Sequence, residues 1–168
     1  MNTCIECGKD MEARHEDRVL DDLPSVTVAE LVVEHCVDCG TTEEVWPEIE
    51  SMYRTLASAI LAKPCRLTGA EIRVLRHVLG WTAVELAAHL GVSSSQVSRW
   101  ENDRDPAGPV ADRMLRAIVA LREGVSLSTD KLASISAERR PLHATLLHTR
   151  AGWSVETEGL RSARAAGA

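Results

Sequence analysis

A mainly α chain, with a small β module at its N-terminal end and a bundle of short helices behind it, is the class the sequence predicts. Three observations carry this. The word Cys-x2-Cys-Gly occurs twice, as CIECG at residues 4–8 and CVDCG at residues 36–40. Between the two words, Val26, Val28 and the run Leu31–Val33 favour strands. From residue 68 onward, Thr68…Glu71, Thr82…Glu85 and Ser93…Gln96 each fit a capping box and each open an apolar run at helical period.

The chain has 168 residues, room for one ordinary domain or two small ones. With one tyrosine and no phenylalanine, the core must come from Leu, Val, Ala and Ile. No apolar run approaches the roughly 20 residues that cross a bilayer, so no membrane segment is expected. The start, MNTCIECGKD, has neither a basic stretch nor an apolar core, so no signal peptide is expected. A cytoplasmic location follows as the expectation, where thiols stay reduced. Charge is uneven. Residues 1–64 hold 5 basic and 14 acidic side chains (net −9), residues 65–123 hold 8 and 7 (+1), and residues 124–168 hold 6 and 4 (+2). Such a split fits modules with different partners, and equally a solubilising face.

Residues 1–42 form the first segment, with two or three short strands and a cysteine knuckle at each end. Residues 43–66 are a helix and linker. Val45, Ile49, Met52, Leu56 and Ile60 give one apolar face, Pro47 belongs in the first turn, and the helix ends before Pro64. PCRL, residues 64–67, is a short linker. Residues 67–123 hold three short helices jointed at Gly80 and Gly91. A fourth runs from Pro109 to about Arg122, with Val110, Met114, Ile118 and Leu121 as its apolar set. Residues 124–168 are an extension without an assigned role, with helices expected at Leu127–Ile135 and Leu142–Thr149 and a frayed tail at LRSARAAGA.

Cys4, Cys7, Cys36 and Cys39 make two Cys-x2-Cys turns separated by 28 residues. Each turn offers two thiolates to one side of a tetrahedral ion, and its glycine permits the tight backbone. Four sulfurs leave no open coordination position, so the expected cofactor is a structural zinc. Iron is the rival, because doubled Cys-x2-Cys-Gly also resembles rubredoxin, an electron-transfer module. Residues 1–42 lack the aromatic core of those domains. Disulfides fit poorly with a reducing compartment and an odd fifth cysteine. Cys65 reads as a spare buried thiol, and His15 and His35 only as fallback ligands. Metal binding is expected to supply on the order of 10 kcal/mol of folding energy.

Thr82–Arg104, TAVELAAHLGVSSSQVSRWENDR, reads as two helices bent at Gly91. Leu86, Ala87 and Leu90 face inward on the first, Val97 and Trp100 on the second. This is a helix-turn-helix, whose second helix enters the DNA major groove; the net charge of only +1 leaves open a helical bundle of the same pattern that binds protein alone. The candidate DNA-binding residues are Ser94, Ser95, Ser98 and Arg99 on its outer face, with Asn102 and Arg104 at its end. Arginine reads guanine through two hydrogen bonds, whereas serine is permissive, and residues beyond the helix suit the phosphate backbone. Trp81 reads as packing, Trp46 and Trp153 as exposed interface anchors, and His77, His89, His143 and His148 as non-ligands. There is no nucleophile–base set and no HExxH word, so an enzyme is not expected.

LAAHLGVSSSQVSRWENDRDP resembles the Cro/C1-type (XRE-like) helix-turn-helix family over about residues 67–122. The resemblance implies a pair between Arg76 on the first helix and Glu101 after the recognition helix. It departs at Ala83, where many members carry glutamine. The order of both motifs, over about residues 1–122, looks like the YgiT/MqsA type of zinc-finger antitoxin. That likeness implies a transcriptional regulator in which Ser95 and Arg99 contact bases. Its helix-turn-helix would dimerise on a palindromic double-stranded operator, usually its own promoter, and its zinc module would dock a small, basic toxin. A stand-alone regulator with a structural zinc site is the alternative.

Overall fold

The computed structural model describes residues 2–158. Two long strands, β1 (Met11–Leu20) and β2 (Leu23–Cys36), form a hairpin with Asp21 and Asp22 at its turn. They are longer than the short strands expected from the sequence. Because they are antiparallel, both cysteine words lie at the same end of the hairpin. Val26 and Val28 are buried, yet so are Leu31 and Val33, which alternate in the opposite phase. A bulge reconciles them: register shifts between Glu16 and Arg18, and Glu30 adopts φ 54°. The Asp17 carboxylate accepts the Glu30 N–H at 3.0 Å, serving a donor the bulge frees from the ladder.

β2 is the central strand. One edge pairs with β1, while the other is shared by β3 (Thr42–Val45), antiparallel, and β6 (Ala144–Thr149), parallel. β7 (Gly152–Thr157) completes the sheet beyond β6. Residues 142–149 are therefore not the helix expected. Leu142, Ala144 and Leu146 are buried at every second position, the period of a strand.

α1 (Ile49–Ala62) buries Met52, Leu56, Ala57, Ala59, Ile60 and Leu61. Val45 is not part of it, because pairing with Val32 claims that residue for β3. Ile49 is exposed, and Pro47 precedes the helix rather than occupying its first turn. Lys63 is extended (φ −62°, ψ 129°), the conformation that Pro64 imposes on its neighbour. Residues 64–67 are more than a linker: β4 (Cys65–Arg66) pairs in parallel with β5 (Ser136–Arg139), and Cys65 and Leu67 are buried.

α2 (Gly69–Val78) and α3 (Ala83–Leu90) start with complete capping boxes at Thr68 and Thr82. α4 (Ser94–Glu101) has the first half, Ser93 accepting the Gln96 N–H at 3.2 Å. α5 (Pro109–Glu123) corrects the expected face. Val110 and Leu121 are 77% and 85% exposed and Met114 is exposed too, while Asp112, Leu115, Arg116, Val119 and Ala120 are buried. A buried ion pair lies within that face, so apolar spacing alone points to the wrong side. The helix expected at 127–135 shortens to α6 (Thr129–Ala133), capped by Ser128. The expected tail at residues 160–168 lies outside the described residues. Sheet and helices share one core, in which Val28, Leu31 and Leu146 join Leu56, Ile60, Ile72 and Leu75.

The pair in α5 ties these layers together. Arg116 Nε donates to Asp112 Oδ1 at 2.8 Å, and the same guanidinium donates to the carbonyls of Ile60, Leu61, Lys63 and Cys65 at 2.7–3.1 Å. Asp112 Oδ2 accepts the Leu67 N–H at 2.6 Å. Arg116→Ala should lower the unfolding free energy by about 3–5 kcal/mol, because it strands a buried carboxylate and the carbonyls at the end of α1. Urea unfolding checks this, and an unchanged midpoint would contradict it.

Candidate metal centre and nucleic-acid interface

The two cysteine words fold into the same turn. Gly8 N–H donates to Cys4 O and Gly40 N–H to Cys36 O, both at 2.9 Å. Cys4 N–H donates to Lys9 O and Cys36 N–H to Thr41 O. Gly8 and Gly40 adopt φ 71° and 78°, the left-handed region that lets each turn close. The hairpin brings the turns face to face. Cys4 and Cys39 sulfurs are 3.5 Å apart, Cys7 and Cys36 sulfurs 3.4 Å, and all four lie within 4.8 Å of one another as free thiols. Metal–sulfur bonds of about 2.3 Å in a tetrahedron put sulfurs about 3.8 Å apart, so the quartet fits such an ion.

The electrostatics agree. Cys39 is lowered to about 6, chiefly by the Thr41 hydroxyl 3.2 Å away and then by the Thr41 N–H. At Cys7 the Lys9 backbone N–H is the strongest influence and favours the thiolate. The Cys36 thiol, desolvation, and the Cys39 and Cys4 sulfurs together outweigh it and push Cys7 up to about 12. One sulfur ionises readily and its neighbour resists a second negative charge. Four thiolates at this spacing require a cation among them, and sulfur donors suit a soft or borderline one. The fallback ligands are engaged elsewhere: His35 Nε2 is 2.6 Å from Glu16, and His15 Nδ1 is 3.3 Å from Glu30 O. Cys65 is buried with its Sγ 3.8 Å from Arg140 O, away from the quartet.

The second site is built on α3 and α4. Gly91 (φ 67°) turns the chain between them. Leu86, Ala87, Val97 and Trp100 are buried and Leu90 is half-buried, leaving Ser94, Ser95, Ser98 and Arg99 exposed along α4. Asn102 and Arg104 are exposed beyond its end. From behind, Arg76 Nε and Nη2 grip the two Glu101 oxygens at 2.6 and 3.1 Å, and Nη1 donates to Trp81 O at 2.8 Å. A Cβ at Gly69 would collide with the Trp100 and Glu101 carbonyls, so only glycine lets α2 approach α4 this closely.

Several residues escaped the sequence reading. Asp105 holds Arg99 at 2.9 Å, and Arg73 donates to Glu101 O at 2.9 Å and to the Asn102 side chain. Thr41, which bonds Cys39, was legible only as the residue following the second Cys-x2-Cys-Gly. Trp46 and Trp153 are half-buried against the core rather than exposed, and Trp153 Nε1 donates to Pro47 O at 2.9 Å. Trp81 stacks on exposed His89, ring centres 3.9 Å apart. Among the described residues no helix is long and apolar enough to cross a membrane.

Residues 68–133, from the cap of α2 to the end of α6, match a family model described as a helix-turn-helix domain. Neither a search of curated proteins nor one of solved structures returns a match. The chain thus carries a helix-turn-helix domain, a non-catalytic regulatory module, together with a four-cysteine cluster suited to a metal ion. These features support a DNA-binding regulatory protein. Arg76→Ala should cost up to about 3–5 kcal/mol, because it strips buried Glu101 of its bidentate partner and leaves only Arg73 Nε, 3.8 Å away. Thermal or urea unfolding reads this directly, and a loss below about 1 kcal/mol would mean that the pair is a mere surface contact.

Proposed function

We propose that this protein is a sequence-specific transcriptional regulator that binds a palindromic double-stranded operator as a homodimer. We further propose that it is the antitoxin of a type II toxin–antitoxin pair, neutralising its toxin and repressing its own operon in the cytoplasm. The exposed row Ser94, Ser95, Ser98 and Arg99, held on a helix braced from behind by Arg76 and Glu101, carries the DNA half. Arg99 reads a guanine, the serines adapt to neighbouring bases, and Asn102 and Arg104 hold the backbone. Two copies place their α4 helices about 34 Å apart, one turn of the duplex.

In this reading Cys4, Cys7, Cys36 and Cys39 hold a structural zinc. The division of labour runs along the chain: residues 1–42 hold the metal, 43–66 connect, 67–123 bind DNA, and 124–168 extend the fold. The toxin half rests on charge. The net −9 of residues 1–64, and a further charge of about −2 for a dication among four thiolates, complement a small basic protein. A second reading, a stand-alone regulator with the metal as a brace, is favoured by the core that the hairpin shares with the helices.

Selection of bound fragments from genomic DNA, with metal analysis and partner identification on the same preparation, tests all parts. A palindromic fragment with zinc and a co-purifying basic protein supports the full reading. The fragment without a partner supports the second, and a red, redox-active preparation would turn the metal site to iron. Arg99→Ala should lose about 1–3 kcal/mol of discrimination at one base position per half-site, with metal content unchanged; an unaltered sequence preference removes Arg99 from base reading. Cys36→Ser should lose the bound metal and lower the thermal midpoint, since ion binding is folding energy here. A metal-free protein with the original midpoint would contradict the bracing role.

A further inference from the structure

The helix-turn-helix region is scarcely basic, with 8 basic and 7 acidic side chains over residues 65–123. Duplex affinity comes largely from neutralised phosphates, so further cations must stand near the reading helix. The extension supplies them. β5 lies beside β4 with Arg139 opposite Arg66. Arg139 Nη2 donates to Asp103 Oδ1 at 2.6 Å, in the loop that leaves α4. Arg66 donates to Ala107 O in the same loop. Two guanidiniums at one register position repel each other. Asp103 is also occupied by the Gly69 N–H at 2.9 Å, and Arg66 Nε is buried without an acceptor.

Beside Arg66, a cleft of about 150 Å³ opens against Arg113, Ser136 and the first turn of α5, which has no side-chain cap. Asp112 lines this cleft, but its oxygens are held by Arg116 and the Leu67 N–H. Three guanidiniums thus gather beside the loop that follows the reading helix: Arg139 on Asp103, Arg113 donating to Ala133 O at 3.3 Å, and Arg66, whose Nε has no acceptor.

We propose that the β4–β5 ribbon is a second DNA-backbone contact, in which Arg139, opposite Arg66, takes a phosphate of the duplex that α4 reads, with Arg113 across the neighbouring cleft adding positive charge. The inference rests on the DNA-binding reading above. In the free protein Asp103 holds Arg139 in place; a half-exposed pair of this kind is weak. A phosphate offers a charge-assisted, bidentate replacement. The contact carries no sequence information.

The test uses the full, metal-loaded chain and two duplexes: the DNA upstream of its own reading frame and a mixed-sequence duplex of equal length. Affinity for each is measured across a salt series. Arg139→Gln should weaken both by the same factor and reduce the salt slope by about 0.9, one phosphate's share, while Arg139→Lys keeps the slope. Arg113→Gln, outside β5, should act in the same direction, and circular dichroism checks that each variant is folded. Slopes equal to wild type in both glutamine variants, or a loss confined to one duplex, would overturn the proposal and leave DNA binding standing. A wild-type chain that binds neither duplex at low salt would overturn both.

Discussion

The buried Arg116 guanidinium is the point on which the layers of this molecule depend. A helix that ends inside a protein leaves carbonyls without donors. Here the end of α1 turns its carbonyls inward although Ala62 itself is exposed, and Arg116, itself 0% exposed, supplies the donors to Ile60, Leu61 and Lys63, then reaches Cys65 on β4. Beside it lies a second buried pair, Lys63 with Glu71. Lys63 also donates to Arg140 O at 2.7 Å, and Glu71 accepts the Leu142 N–H at 2.8 Å. The end of α1, the start of α2, the middle of α5 and the entry to β6 meet at one polar junction.

Buried charges cost much to desolvate and are tolerable only when every lone pair and proton is used. In this junction every charged nitrogen and carboxylate oxygen has at least one partner, many of them backbone groups from distant parts of the chain. It therefore has one arrangement, and it fixes how the sheet, with its sulfur quartet, stands relative to the helix-turn-helix. The Arg76–Glu101 grip repeats the device on a smaller scale and sets α4 against α2. The sulfur quartet and α4 are thereby held by charged contacts rather than by a flexible tether.

The parts legible in the sequence were those with local causes. Thr68, Thr82 and Ser93 cap helices through bonds spanning three residues, and the doubled Cys-x2-Cys-Gly word fixes its own turns. The cysteine pairs also implied their meeting, because one ion needs all four sulfurs. What escaped depended on distant partners. The bulge at Glu30 reverses the phase of β2, so the hairpin looked like separate short strands. In α5 the buried face carries Asp112 and Arg116, and their i, i+4 spacing was the available signal that charge, rather than apolar period, marks the inside. Leu142, Ala144 and Leu146 alternate as a strand does, but their partner β2 lies more than a hundred residues earlier.

If the junction welds the layers, they open together. Native-state hydrogen exchange of the metal-loaded chain under increasing denaturant measures this directly. The account predicts that core amides of β2, β6, α1 and α5 share one opening free energy and one denaturant dependence. Strand amides that open at markedly lower free energy, while α2–α5 stay protected, would contradict it.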